Sequence, residues 1–214
     1  MEKLQYNFSS IKFSEITKIV PLTKADNSNK FKEWFTTPYK IKASETIFFK
    51  ELIEKHHLYL PSYSEEDLKM KFIAFILDKV NFPNHYIQDF YHASLKAEVN
   101  GVILNGFADY MVASGIKEPE KPYFFIQEFK PTQADKDVED QLLAELLAAT
   151  ALNQVNIMRG AYIIGQNWRF CILEKETNGN YFFYVSKQFD CLEIDTLKLI
   201  YKHLQIVKLL YCKD

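Results

Sequence analysis

Asp109, Glu128 and Lys130 are the residues of this 214-residue chain whose types and spacing could do chemistry together. The elements that must position them lie in residues 106–130, GFADYMVASGIKEPEKPYFFIQEFK. Residues 106–113 and 123–130 are rich in Phe, Tyr, Val and Ile, whereas Gly115, Pro119 and Pro122 punctuate the segment between them. This pattern predicts two antiparallel strands joined by a long charged turn over 115–122. A turn centred between Glu118 and Pro119 pairs residues whose numbers sum to about 237, which sets Asp109 opposite Glu128. Alternation places Glu128 and Lys130 on one face with Phe124 and Ile126, and Asp109 on one face with Phe107 and Met111. Directly opposed like charges are destabilising, so two acids on a half-buried face call for a compensating cation, and a hard divalent metal would supply it.

Acid-x-Lys alone says little, since Asp67-Leu68-Lys69 matches it on a segment that reads as helix. The competing reading of the central stretch is a hairpin with solvent-facing charges. In context, however, Asp109, an interval of 18 residues, and Glu128-Phe129-Lys130 resemble the D…E-x-K signature of the PD-(D/E)XK nuclease superfamily, with Ala108 where the name has proline. The resemblance takes in the Ser64-Glu65-Glu66-Asp67 helix before the strands and a Gln-bearing helix after them, over roughly residues 64–187. It implies a restriction-endonuclease-like core and a metal-dependent nuclease that hydrolyses phosphodiester bonds, with DNA as the substrate. It also implies Mg²⁺ or Mn²⁺ held by Asp109, Glu128 and the Phe129 carbonyl, with Lys130 orienting or helping to deprotonate the attacking water. Glu65 is carried as a supporting site residue with Glu66 as its rival, and capping of the helix N-terminus explains either acid. Gln141 is a candidate for orienting a phosphate or a water, against a plain exposed polar position at a helix start. Two other functions remain open: a catalytically silent nucleic-acid-binding or assembly module of the same fold, and a small metal-dependent phosphoesterase.

Residues 1–60 mix short amphipathic runs with turn signals at Pro21, Ala25-Asp26-Asn27-Ser28-Asn29 and Pro38. From Ser44, a cap-like residue, SETIFFKELIEKHHL reads as a helix with Ile47, Leu52 and Ile53 apolar. The expected organisation is therefore an N-terminal helical extension over 1–60 packed on a nuclease-like domain over 61–214. Ser64 caps the helix DLKMKFIAFILDKV, in which Glu65 continues the stripe of Leu68, Phe72 and Ile76. A first strand over 91–98, the tight turn Asn100-Gly101 and the central hairpin make a three-stranded meander. The loop PTQADKD then leads into VEDQLLAELLAATALNQ, a helix on which Gln141 and Glu145 share a stripe with Ala148 and Leu152. Residues 160–164 read as a buried strand, and 168–173 pair with 181–185 around Asn178-Gly179. Trp168 and Arg169 could touch nucleic acid there, although a Trp in such a strand belongs to a core. A helix over 191–212 carrying Leu197, Ile200, Leu204 and Val207 covers an exposed face or supports a homodimer. This order gives an α/β fold, an α+β sandwich with a central mixed β-sheet flanked by helices.

Composition bounds the rest. The chain is long enough for one well-buried core. No stretch approaches the about 18 apolar residues of a membrane span, and MEKLQYNFSS lacks a signal-peptide core, so a cytoplasmic protein without membrane contact is expected. Cys171, Cys191 and Cys212 fit neither a disulfide framework nor a zinc site, and the adjacent His56 and His57 cannot share a metal from one helix. The formal net charge of −2 argues against a broad phosphate-binding face. Residues 1–50 nonetheless hold nine Lys against five acids, either a phosphate grip or a solvated surface. With Arg159 and Arg169 the only arginines, strong base reading is not expected.

Overall fold

Asn100 and Gly101 both adopt positive φ, 49° and 80°, the combination that a two-residue type I′ turn requires between twisted strands. The computed structural model describes residues 3–132 and 138–212, so residues 133–137 of the expected PTQADKD loop lie outside the described residues. In chain order the elements are strand β1 (Gln5–Asn7), helix α1 (Phe13–Ile19), strand β2 (Leu22–Lys24), and helices α2 (Lys32–Thr36) and α3 (Ala43–His56). Helix α4 (Glu65–Leu68) then runs through a π-helical turn (Lys69–Ile73) into α5 (Ala74–Val80). Strands β3 (Ile87–Val99), β4 (Val102–Ser114) and β5 (Glu120–Lys130) follow, and then helix α6 (Val138–Asn153). Strands β6 (Ile157–Ile164), β7 (Asn167–Lys175), β8 (Tyr181–Val185) and β9 (Phe189–Asp190) precede the last helix, α7 (Ile194–Tyr211).

The strands form one mixed sheet in the order β1-β4-β5-β6-β7-β8-β2, with β3 on β4 and β9 on β7. Neighbours β1/β4, β5/β6 and β2/β8 are parallel. Helices cover both faces, as the apolar residues of neighbouring strands demand. One face packs Ile16 and Ile19 of α1 and Leu142 and Leu146 of α6 against Met111, Ile126, Cys171 and Phe183. The other packs Phe49 of α3, Phe72 and Ile76 of the π-turn and α5, and Leu197, Ile200, Leu204 and Val207 of α7 against Tyr110, Phe125, Phe129 and Phe170. The apolar stripe of α7 is thus buried against the sheet of its own chain. Trp168 is wholly buried, as a core residue should be.

Two expectations need correction. Residues 1–60 are not only a helical extension: β1 and β2 enter the sheet, and three-residue parallel strands carry too short a pattern to be read. Ser44 does not cap α3, which begins one residue earlier, and the Glu45 carboxylate accepts the Lys42 N–H at 2.6 Å. Glu45 also accepts the Tyr201 hydroxyl at 2.8 Å, which ties α3 to α7.

The crossover β5-α6-β6 positions the rest of the site. Helix α6 is buried almost all round because β3, β4, β5 and β6 all pack on it, and from α1 the Phe13 N–H donates to Asp140 at 2.8 Å. It lies close on the sheet at Gly160, where a Cβ would sit 2.8 Å from the Ile126 carbonyl oxygen and 3.1 Å from Leu146. Only glycine permits that approach.

Candidate functional site

The register expected from the turn holds where it matters: Tyr110 faces Gln127, Met111 faces Ile126 and Val112 faces Phe125. The turn itself is shorter than predicted, and two register shifts beyond Val112 absorb the difference. Along its other edge β4 pairs with β3 except opposite Asp109, where His92 adopts a positive φ of 52° and the ladder skips one pair. On the β5 side, β1 pairs only with Ile103, Leu104 and Asn105, and β5 takes over at Tyr110. Asp109 stands at the end of this gap in the ladder, where side chains replace backbone partners. The Asp109 N–H donates to Glu128 Oε1 at 3.1 Å, and the Phe129 N–H donates to Asp109 Oδ2 at 2.9 Å. Each carboxylate therefore holds the opposite strand.

Lys130 reaches back into this corner. Its ammonium lies 3.4 Å from Glu65 Oε2, 3.4 Å from Asp109 Oδ2 and 3.5 Å from Glu128 Oε2, and donates to the Phe129 carbonyl at 2.8 Å. Glu65 arrives from the first turn of α4, whose N-terminus is capped by the Ser64 hydroxyl accepting the Asp67 N–H at 3.1 Å. Its rival Glu66 is exposed. The π-turn that follows begins at Lys69, whose ammonium lies 3.3 Å from Asp109 Oδ1 and 3.9 Å from Glu65. From α6, Gln141 donates to Glu128 Oε2 at 2.7 Å and to Glu145 Oε1 at 3.2 Å. Gln141 is buried, so the exposed-polar alternative for it is excluded.

Charge balance explains the titration behaviour. Glu65 and Asp109 offset Lys69 and Lys130, which leaves the fully buried Glu128 and Glu145 without counter-charge of their own. Burial, and then the neighbouring Asp109, raises the Glu128 carboxyl to about 8. Burial and the charge of Glu128 raise Glu145 well above the ordinary range. Burial also opposes ionisation of Asp109, but Lys130, the Phe129 N–H and Lys69 outweigh it and hold its pKa low. Burial disfavours the charged Lys130, and Glu128, Asp109 and Glu65 more than restore it. In the metal-free protein near neutral pH, Asp109 is thus ionised, Lys130 is charged, and the Glu128–Glu145 pair retains protons.

A stability prediction follows from that pair. A carboxyl whose pKa is raised on folding binds a proton that the unfolded chain has released, so stability falls as pH rises from the ordinary carboxylate value toward the folded one. Wild-type protein should lose stability between pH 5 and pH 8 through this pair. Glu145→Gln keeps the shape and an acceptor for Gln141 but removes one ionisation, and should exceed wild type by about 1–2 kcal/mol at pH 8. The advantage should fade at pH 5. Denaturant melts at the two pH values measure this, and parallel pH slopes for both proteins would contradict it.

The structure therefore brings together Asp109, Glu128, Lys130, Glu65, Gln141 and the Phe129 carbonyl. It adds Lys69 and Glu145, which the sequence reading did not assign. The signal for both was helical spacing: Lys69 is four residues from Glu65, and Glu145 four from Gln141 on a buried stripe. His56 is buried with Nδ1 2.7 Å from the Tyr63 hydroxyl, His57 is exposed, and the three cysteines are free and buried. No group of three or more His, Cys, Asp or Glu poised to hold a metal ion is found among the described residues. The chemistry of the oxygens around Lys130 nevertheless fits a hard divalent cation: three carboxylates and a backbone carbonyl, without soft donors. No helix among the described residues is long and apolar enough to cross a membrane. The chain matches no family model and no characterised protein.

Proposed function

We propose that the protein is a metal-dependent nuclease with a restriction-endonuclease-like core, hydrolysing phosphodiester bonds, with DNA the favoured substrate. One observation carries the reading: oxygens of Glu65, Asp109, Glu128 and Phe129 all lie within 3.5 Å of a single ammonium, that of Lys130. Oxygens gathered so tightly at a buried point suit a small, doubly charged cation better than a solvated surface. Asp109, Glu128 and the Phe129 carbonyl would hold Mg²⁺ or Mn²⁺, with Glu65 in support. A cation held by these residues would supply Lewis-acid polarisation of the scissile phosphate and offset charge growing on the leaving oxygen.

The chain's own groups supply the rest. Lys130 is kept protonated by its acidic neighbours, so it donates hydrogen bonds to an attacking water or a phosphate oxygen rather than accepting a proton. Lys130, the Phe129 N–H and Lys69 together hold Asp109 ionised, and Gln141 fixes the orientation of Glu128 through a 2.7 Å bond.

The test is incubation of a supercoiled plasmid, a labelled oligonucleotide and a small chromogenic phosphodiester with the protein in Mg²⁺ or Mn²⁺. Wild type should cut nucleic acid with metal, and neither EDTA-treated wild type nor Lys130→Ala should cut. Undiminished cutting in EDTA would refute the metal mechanism. Nucleic-acid binding without hydrolysis would favour the silent module, and hydrolysis of the small ester alone would favour a phosphoesterase.

A further inference from the structure

Glu128 lies level with Tyr162 of β6, and Tyr162 lies level with Arg169 of β7. Residues opposed across neighbouring strands point to the same face, so these three side chains form a row leading away from the carboxylate cluster. The row ends at a cavity of about 890 Å³ lined by Tyr162, Arg169, Lys187, Phe31, Phe35 and Asp26, among others. A volume of this order accommodates a nucleotide-sized group. The cavity opens beside the carboxyl ends of β6, β8 and β2, the side of an open α/β sheet where ligands commonly seat.

The lining supplies both chemistries of a nucleotide. Arg169 Nη1 donates to the Ser186 carbonyl at 3.1 Å, which uses one guanidinium donor and orients the others. Lys187 is exposed beside it. Lys24, also in the lining, is ion-paired with Glu139, which accepts the Tyr162 hydroxyl at 2.9 Å. Arg169 and Lys187 remain as cations against Asp26, a small positive excess next to an acidic centre. Phe35 is half-buried and stacks one face on His203, and with the edges of the buried Phe31 and Tyr162 it gives the cavity an apolar, aromatic side against which a base can pack.

We infer that this cavity holds a phosphate and a base of the same nucleic-acid strand whose backbone is cut at the Asp109–Glu128 centre. The inference rests on the nuclease reading. Two strand spacings separate Glu128 from Arg169, roughly 10 Å, about three steps of a stacked single strand at 3.4 Å each. The cavity therefore receives the strand a few nucleotides from the scissile phosphate. With two cations and no base-edge fork beyond Arg169, the grip is on backbone and ring rather than on sequence.

Fluorescence anisotropy of labelled DNA and RNA 12-mers in EDTA buffer tests the cavity without requiring cleavage. Lys187→Glu should weaken binding at least about fivefold and reduce the slope of log K against log salt by about 0.7. Arg169→Gln should weaken it similarly. Lys117→Glu, on the remote β4–β5 turn, should bind as wild type, and melting midpoints should show that every variant is folded. Under cleavage conditions Lys187→Glu should raise KM and leave kcat unchanged. If wild type binds but never cuts, and Lys187→Glu weakens binding, the cavity stands and the nuclease reading falls. If wild type cuts and Lys187→Glu binds and cuts equally well, the cavity inference falls alone. Absence of both binding and cutting overturns both, and preference between the DNA and RNA arms identifies the strand.

Discussion

Lys130→Met should abolish cleavage and, in metal-free buffer at pH 8, lower stability by about 3 kcal/mol, a loss that divalent cation then restores. The side chain of Lys130 is 12% exposed, that of Asp109 10% and that of Glu128 0%, so the ammonium is the counter-charge of a buried cluster. Removing one partner of a buried ion pair costs about 3–5 kcal/mol, because the other charge is left uncompensated. Two features hold the cost to the lower end. Lys69 still lies 3.3 Å from Asp109, and Glu128 is already poised to hold a proton. The second feature sets the sign with pH. In the variant the carboxyl pKa rises further, so the folded protein keeps a proton that the unfolded chain gives up, and stability falls as pH climbs above the ordinary carboxylate range. The deficit should be clearly smaller at pH 5.5 than at pH 8. For a chain of this length about 3 kcal/mol corresponds to roughly 6–12 °C in melting midpoint. Mg²⁺ or Mn²⁺ should raise the midpoint of Lys130→Met more than that of wild type, since no ammonium competes for the same oxygens. A variant as stable as wild type at pH 8 without metal would show that Lys130 does not carry the charge balance.

Glu128→Gln should separate function from stability in the opposite direction. Glutamine preserves volume, and its carbonyl oxygen can still accept the Asp109 N–H, while Gln141 turns its own amide to present an oxygen. What disappears is an ionisation disfavoured by burial and by Asp109. The metal-free variant should therefore be as stable as wild type or more so by about 1 kcal/mol at pH 8. Cleavage should be lost, together with most of the rise in midpoint that divalent cation gives wild type, because a ligand oxygen is gone. If Glu128 were only a structural partner of Lys130, its neutralisation would lower the midpoint and leave no metal response to lose. Paired melting curves with and without Mg²⁺ distinguish the two.

The centre of the site was legible in the sequence because strand alternation and a turn fix register, and register alone sets Asp109 level with Glu128. The redistribution of two bulges into the turn did not disturb it, since those shifts lie beyond Val112. Lys69 was hidden for the opposite reason. Acid-x-Lys is empty by itself, and in Asp67-Leu68-Lys69 the acid is paired not with Lys69 but with Lys71 at 2.6 Å. Yet Lys69, one turn beyond Glu65, reaches Asp109 from another layer of the fold, a contact that no local pattern encodes. Glu145 shared the Gln141 stripe, but only the close approach of α6 at Gly160 and its packing against β3 to β6 make that stripe the floor of the site. Strands β1 and β2 gave no pattern because each is three residues long, and parallel pairing at an edge is specified by what lies beside it rather than by its own residues.

Diffraction from crystals soaked in Mn²⁺, with the anomalous signal of manganese located directly, addresses the central claim that these oxygens are a divalent-cation site. The expected result is a peak within about 2.0–2.3 Å of carboxylate oxygens of Asp109 and Glu128 and of the Phe129 carbonyl, with the Lys130 ammonium displaced from its position among them, and no peak in Glu128→Gln. Crystals that show no manganese at this point, with Lys130 still seated between Glu65, Asp109 and Glu128, would contradict the account.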